Sequence, residues 1–299
     1  MPATLLLDNG SSRPESTLAL RRLARALGER SGRPVHPVSL QHADQVPPDA
    51  LGGHGADTLE PWLRRALAAG RRDFLLIPLW FGPSRALTRF IPELTAQLRR
   101  EQGPFELRCA PELCPLPDGE PRLTEVLLGN IERAAAALGL APRRLVLVDH
   151  GSPIPAVTAV RTWLAARLRE RLGPGAQLRE AVMERRPGPD YDFNGDLLEG
   201  VLHRLAAADP TGPVILPLLF LSPGRHAGPG GDLGAICARV ESAVPGFRVY
   251  PPRWSARTPG SSTSWPGALP PTPPVRLKPR PPTEAAWPRR FEGRCEALP

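Results

Sequence analysis

A short signature occurs twice in this chain. Asp8-Asn9-Gly10-Ser11 ends the apolar run Leu5-Leu6-Leu7, and Asp149-His150-Gly151-Ser152 ends the run Leu145-Val146-Leu147-Val148. A repeat of this spacing restricts the chain to two similar units, each begun by an apolar strand closed with a glycine turn. The match extends further: Leu5 to Leu27 parallels Leu145 to Leu168, and Ile77-Pro78-Leu79-Trp80-Phe81 parallels Leu216-Pro217-Leu218-Leu219-Phe220. Each copy reads strand, glycine turn, helix, strand, helix, strand, helix. Continuous apolar strands separated by helical patterns predict an α/β fold, with a parallel sheet flanked by helices in each copy. The 299 residues suffice for two such units with real cores. The expected division is 1–140, 141–252 and a tail, 253–299.

The helices are legible from their ends and faces. Pro14 suits a first-turn position, and Leu20, Leu23, Ala24 and Leu27 then make one apolar face. Asp57 with Glu60 resembles a capping box before Leu59, Leu63, Ala66 and Leu67, and Gly70 stops that helix. Asn194 is expected to cap the helix carrying Leu198, Val201, Leu202 and Leu205. The last helix of the first copy is expected from Pro121 to Leu138.

The net charge of +8 suggests nucleic acid, but its distribution does not. Eight basic and three acidic residues fall from Arg253 onward, which leaves only +3 on the rest. No basic stripe interleaved with aromatics lies in the repeats, so a nucleic-acid partner is not expected. No stretch suits a membrane span or a signal peptide, and four cysteines do not make a disulfide framework. The expected location is the cytoplasm, and Cys109 and Cys114 are expected to be ordinary buried thiols.

From Pro251 the chain is rich in Pro, Ser, Thr and Arg without periodicity, which predicts disorder. The first copy continues differently, with Glu120-Pro121-Arg122-Leu123-Thr124-Glu125-Val126-Leu127-Leu128 opening a helix. A change of reading frame near Pro252 is therefore expected. GC-rich codons for Arg253 to Gly267, read one base earlier, can spell ALVGAHPRLVDILAR, in which HPRLVDILA mirrors EPRLTEVLL. The use of Arg over Lys, with Lys278 the only lysine, fits a GC-rich gene.

Three residues of the second copy fall at strand ends, where open α/β sheets place their ligands. His150 follows the first strand, Glu184 the second, and His226 sits in the loop Ser222-Pro223-Gly224-Arg225-His226-Ala227-Gly228 after the third. Their counterparts in the first copy are Asn9, Gln41 and roughly Ala86, none of them titratable. Two imidazoles and a carboxylate suit Co, Ni, Fe(II) or Zn better than Mg or Ca. His36, His42, His54 and His203 lie outside this pattern and are expected at the surface or in loops. Arg185, Arg186 and Arg225 could face an acidic ligand. Trp80, Trp163 and Phe220 could wall a cleft, although core packing is the commoner role.

At these residues the chain resembles the class II tetrapyrrole chelatases, the sirohydrochlorin cobaltochelatase and ferrochelatase family. The strand followed by Asp149-His150-Gly151-Ser152, the carboxylate Glu184, and the segment from Leu216 to His226 carry the resemblance, which covers about 1–252. It implies two similar α/β domains facing one another across a cleft. It implies ATP-independent insertion of Co2+ or Fe2+ into sirohydrochlorin or a related tetrapyrrole, in siroheme or cobalamin biosynthesis. His150, Glu184 and His226 would be the catalytic and metal-handling groups, with Ser152, Gly224 and Arg225 binding the tetrapyrrole. The divalent metal (Co2+, Fe2+ or Ni2+) would be a substrate, with no permanently bound cofactor and with the chain as a monomer or homodimer. A histidine phosphatase is disfavoured, because Asp149 stands where such enzymes place Arg and would repel phosphate. A non-catalytic metal or tetrapyrrole carrier is the other reading.

Overall fold

The computed structural model describes residues 1–141, 143–222, 224–228 and 230–251. The expectations for the tail, 253–299, lie outside the described residues. Two four-stranded parallel sheets form the frame, and both belong to one compact unit. The first contains β1 (Ala3–Asp8), β2 (Val35–Ser39), β3 (Asp73–Pro78) and β4 (Glu106–Cys109), in the order β2-β1-β3-β4. The second contains β5 (Arg144–Asp149), β6 (Gln177–Val182), β7 (Val214–Ile215) and β8 (Val249–Tyr250), in the order β6-β5-β7-β8. Seven α-helices connect them among the described residues: α1 (Pro14–Ser31), α2 (Leu59–Ala68), α3 (Ile91–Gln102), α4 (Pro121–Leu138), α5 (Pro155–Leu172), α6 (Leu198–Ala208) and α7 (Asp232–Ala243). The fold is the α/β arrangement expected from the repeat.

Backbone hydrogen bonds align the copies residue by residue. Leu40 N donates to Asp8 O at 2.8 Å, and Met183 N donates to Asp149 O at 2.9 Å, so Gln41 and Glu184 are equivalent. Leu79 N donates to Leu7 O at 2.7 Å, and Leu219 N donates to Val148 O at 2.8 Å. Leu79 therefore matches Leu219, one residue away from the alignment suggested by the apolar letters alone. A slip of one residue would turn every strand side chain to the opposite face. The corrected register runs without a gap through Pro83 and Pro223 in the sequence, and it makes Ala86 the counterpart of His226.

Each sheet is apolar on both faces, as buried parallel sheets require. In the first copy Leu5, Leu7, Phe74 and Leu76 pack against α2 and α3. In the second, Val146, Val148, Val214 and Leu216 pack against α6 and α7. The opposite face of the second sheet is covered by α5 and also by α4, whose Leu127, Ile131 and Ala135 join Leu145, Leu147 and Ile215. The helix that ends the first repeat in sequence is thus packed on the second sheet. Among the described residues the matching face of the first sheet has a smaller cluster, Leu6, Leu20 and Ala24 buried and Leu27, Val35, Ile77 and Leu79 partly so.

Several local expectations change. Thr58, not Asp57, is the N-cap of α2 and makes no side-chain cap bond; Asp57 is ion-paired to Arg65. Asn194 ends a 3-10 turn and α6 starts after Leu197, because the Asn194 amide is engaged elsewhere. His36 lies on β2 and is half-buried, with its ring 5.1 Å from that of Trp62. Burial, with Arg71 adding to it, lowers its pKa. Cys109 is exposed on the edge strand β4, while Cys114 is buried. Among the described residues no helix is long and apolar enough to cross a membrane.

Candidate functional site

The carboxyl end of β5 is shaped by a glycine. Gly151 has φ +96, and a Cβ there would collide with the carbonyl oxygen of Glu184. Gly10 has φ +81, and a Cβ there would strike the carbonyl oxygen of Gln41. Only glycine accommodates both the left-handed backbone and this close approach. The turn brings the residue after β6 beside the residue after β5: Glu184 N donates to His150 O at 3.1 Å, as Gln41 N does to Asn9 O at 3.3 Å. The two copies share this scaffold and differ in the side chains on it.

His150 is the centre of the group. Its Nε2 lies 3.3 Å from Glu184 Oε1, and its ring centroid is 4.6 Å from that of His226, with the planes at 73°. His150 Nδ1 is 3.2 Å from the Gly151 carbonyl oxygen. His226 Nδ1 is 2.7 Å from Asp232 Oδ2. With each Nδ1–H donated in this way, each Nε2 is left to accept a proton or a cation. The side chains of His150, Glu184 and His226 are 42%, 63% and 32% exposed, so solvent and solutes reach them. Among the described residues no group of three or more His, Cys, Asp or Glu stands together as a ready metal site. The three meet through His150, pair by pair.

Asp232, which the sequence reading missed, begins α7 and orients His226. The backbone reinforces that placement, since Leu233 N donates to His226 O at 3.1 Å. Gly231 permits the tight turn: a Cβ there would stand 2.6 Å from the carbonyl oxygens of Arg225 and His226. An acidic residue at a helix start is too common a feature to have marked Asp232 in advance.

Arg161 was also missed, and Asn194, expected only as a helix cap, joins it in holding the loop that carries His150. Arg161, only 3% exposed, donates from Nη1 to Asp149 Oδ1 at 2.8 Å and from Nη2 to Asn194 O at 2.6 Å. Asn194, fully buried, accepts from Ser152 N at 3.0 Å and donates to Ser152 O at 2.9 Å. Ser152 Oγ accepts from Ile154 N at 3.1 Å, which ties it to the start of α5. Burial pushes the Asp149 pKa up, and Arg161 opposes that shift. In the first copy Leu20 replaces Arg161. There Asp8 Oδ1 is buried without a hydrogen-bond partner, and a cavity of about 70 Å3 lined by Thr17, Leu20 and Ser39 lies on that side. His36 lines that cavity, whereas His150 and His226 do not.

The remaining candidates scatter. Arg185 pairs with Asp192 at 2.7 Å, and Arg186 reaches Tyr191 Oη at 3.3 Å and stacks over its ring at 5.7 Å. Arg225 is exposed. Gly224 lies against α1 of the other copy, a Cβ there standing 3.4 Å from Ser16 Oγ. Trp80 packs on the first core, Trp163 on the second beside Gly119, and Phe220 against the cluster under α6 and α7. His42, His54 and His203 are exposed and apart from the site.

No family model matches the sequence, and no curated protein is similar to it. Solved structures do match. SirB from Bacillus subtilis with Fe3+ aligns with 14% identity over 84% of this chain and 88% of its own, with a TM-score of 0.58. The sirohydrochlorin chelatase SirB from Bacillus subtilis subspecies spizizenii in complex with cobalt aligns with 15% identity over 84% and 87%, with a TM-score of 0.55. The chain has the fold of these chelatases.

Proposed function

We propose that the chain inserts a divalent metal, Co2+ or Fe2+, into sirohydrochlorin or a close relative without ATP. The observation that carries this reading is the paired imidazoles of His150 and His226, in contact with each other and, through His150, with Glu184. The chelatase fold agrees with it. A free tetrapyrrole holds two ring N–H protons, and both must leave as the metal enters. An imidazole accepts a proton near neutral pH, so the two Nε2 atoms supply two acceptors. Glu184 Oε1 stabilises His150 when its Nε2 carries a proton. Asp232 does the same for His226 through Nδ1. The metal is a substrate, and imidazole nitrogen with carboxylate oxygen suits its borderline character.

Ser152 and Gly224 serve this reading as backbone. Ser152 fixes the loop after His150, and Gly224 lets the loop before His226 lie against α1. Arg225, exposed beside His226, is the guanidinium best placed to meet an acidic side chain of the tetrapyrrole.

The alternative, a protein that holds metal or tetrapyrrole without turnover, draws on one observation: the three side chains meet pairwise instead of closing on a point. Turnover separates the two. Purified protein is given sirohydrochlorin with Co2+, Fe2+ or Ni2+ under anaerobic conditions, and the change in absorption is followed. Insertion faster than the protein-free rate supports the chelatase. Tight binding of metal or tetrapyrrole with no acceleration supports the carrier.

A further inference from the structure

The two sheets are covered unequally, and the register identifies what is missing. Pro14 and Pro155 both occupy the first turn of their helices, so Leu23 matches Leu164 and Leu27 matches Leu168. Leu75 matches Ile215, and Leu79 matches Leu219. In the second copy Leu164 and Leu168 are fully buried, Ile215 is 3% exposed and Leu219 7%. In the first, Leu23 is 38% exposed, and Leu27, Leu75 and Leu79 are only half-buried. The side-chain types are the same; the difference is α4, which covers the second sheet and has no counterpart among the described residues on the first.

The path of the chain says where such a counterpart would come from. The chain leaves β4, the edge strand of the first sheet, crosses, and lays α4 on the second sheet. β8 is the equivalent edge strand, and the described chain stops at Pro251, just past it. The same crossing from β8 would lay a helix on α1 and β3. The residues that follow in the present frame include no match to α4, whereas the frame one base earlier can spell HPRLVDILA. Its two leucines fall where α4 has Leu123 and Leu127. A second copy of the chain could bury the same leucines, but the occupant of the equivalent face is a single amphipathic helix with this stripe.

We propose that the face formed by Leu23, Leu27, Leu75, Ile77 and Leu79 is the seat of the helix that GC-rich codons for Arg253 to Gly267 can spell when read one base earlier. Among the described residues no helix covers that face.

The test compares the full chain with a chain in which ALVGAHPRLVDILAR replaces the residues from Arg253 onward. A third chain carries the same extension with its Leu, Val and Ile residues changed to Ser, which controls for removal of the tail. The intended extension should raise Tm by about 5 °C over both references. It should also slow amide exchange in α1 and β3 at least tenfold. Leu23→Arg should erase both gains while leaving the full chain's Tm unchanged, since Leu23 is already exposed there. Equal Tm and exchange in all three chains would overturn the proposal. So would gains that survive Leu23→Arg, which would place the helix elsewhere, or a full-length chain that is a dimer in light scattering with α1 and β3 already protected.

Discussion

Asp8 and Asp149 hold one backbone position in two surroundings. Arg161 accompanies Asp149, and Leu20 stands where that guanidinium would be beside Asp8. Burial raises the Asp8 pKa above the ordinary 3.8, with Ser39 only partly opposing. The folded chain thus binds the proton more tightly than the unfolded one. Asp8 costs nothing at pH well below 3.8, and the fold loses stability as pH rises from there through the folded-state pKa. Asp8→Asn should remove that slope, and urea denaturation should show a gain at pH 7 that shrinks towards pH 4. Arg161→Met should do the reverse, leaving Asp149 buried and unpaired at a cost of about 3–5 kcal/mol; chemical denaturation at pH 7 measures it. The strand-end residues His150, Glu184 and His226 were visible in the sequence because a second copy lacked them. Arg161, Asp232 and the loop-holding role of Asn194 were not, because they depend on loops and helices that meet only in three dimensions.

At the scale of elements, strands and helices followed from apolar runs, prolines and glycines, whereas their partners did not. The stripe Leu123, Leu127, Ile131 on α4 announces a helix with one buried face, but an apolar stripe does not name the sheet it covers. The alignment of residues 77–81 with 216–220 between the copies was off by one residue for a similar reason. Neighbouring leucines and prolines look alike as letters, and only the backbone bonds set the register. The glycine turns after β1 and β5 were correctly singled out, and the reason is now mechanical. Gly151→Ala should cost about 2 kcal/mol from backbone strain alone. It should also push Glu184 away from His150, so its insertion rate should fall further than its stability explains. Thermal denaturation alongside a single-turnover rate tests both parts, and an active, stable Gly151→Ala protein would contradict this account of the turn.

For the whole molecule, duplication supplies the frame and divergence supplies the chemistry. The copies touch reciprocally: Gly82 lies against α5, where a Cβ would stand 3.0 Å from Val160 Cγ2, and Ser222 Oγ is 3.5 Å from Ser16 Oγ of α1. Asn9, Gln41 and Ala86 place no titratable group at the positions of His150, Glu184 and His226, so at these strand ends only the second copy brings titratable side chains. Ala86→His alone should therefore add no activity, since Asn9 and Gln41 offer it no partner. The decisive measurement is the rate of Co2+ insertion into sirohydrochlorin for the unaltered chain, His150→Ala, His226→Ala and the double variant, with circular dichroism confirming each fold. If the imidazoles act together, each single change lowers the rate about 100-fold or more, and the double change lowers it by much less than the product of the two. Full activity in folded His150→Ala protein, or two losses that simply multiply, would contradict a shared site.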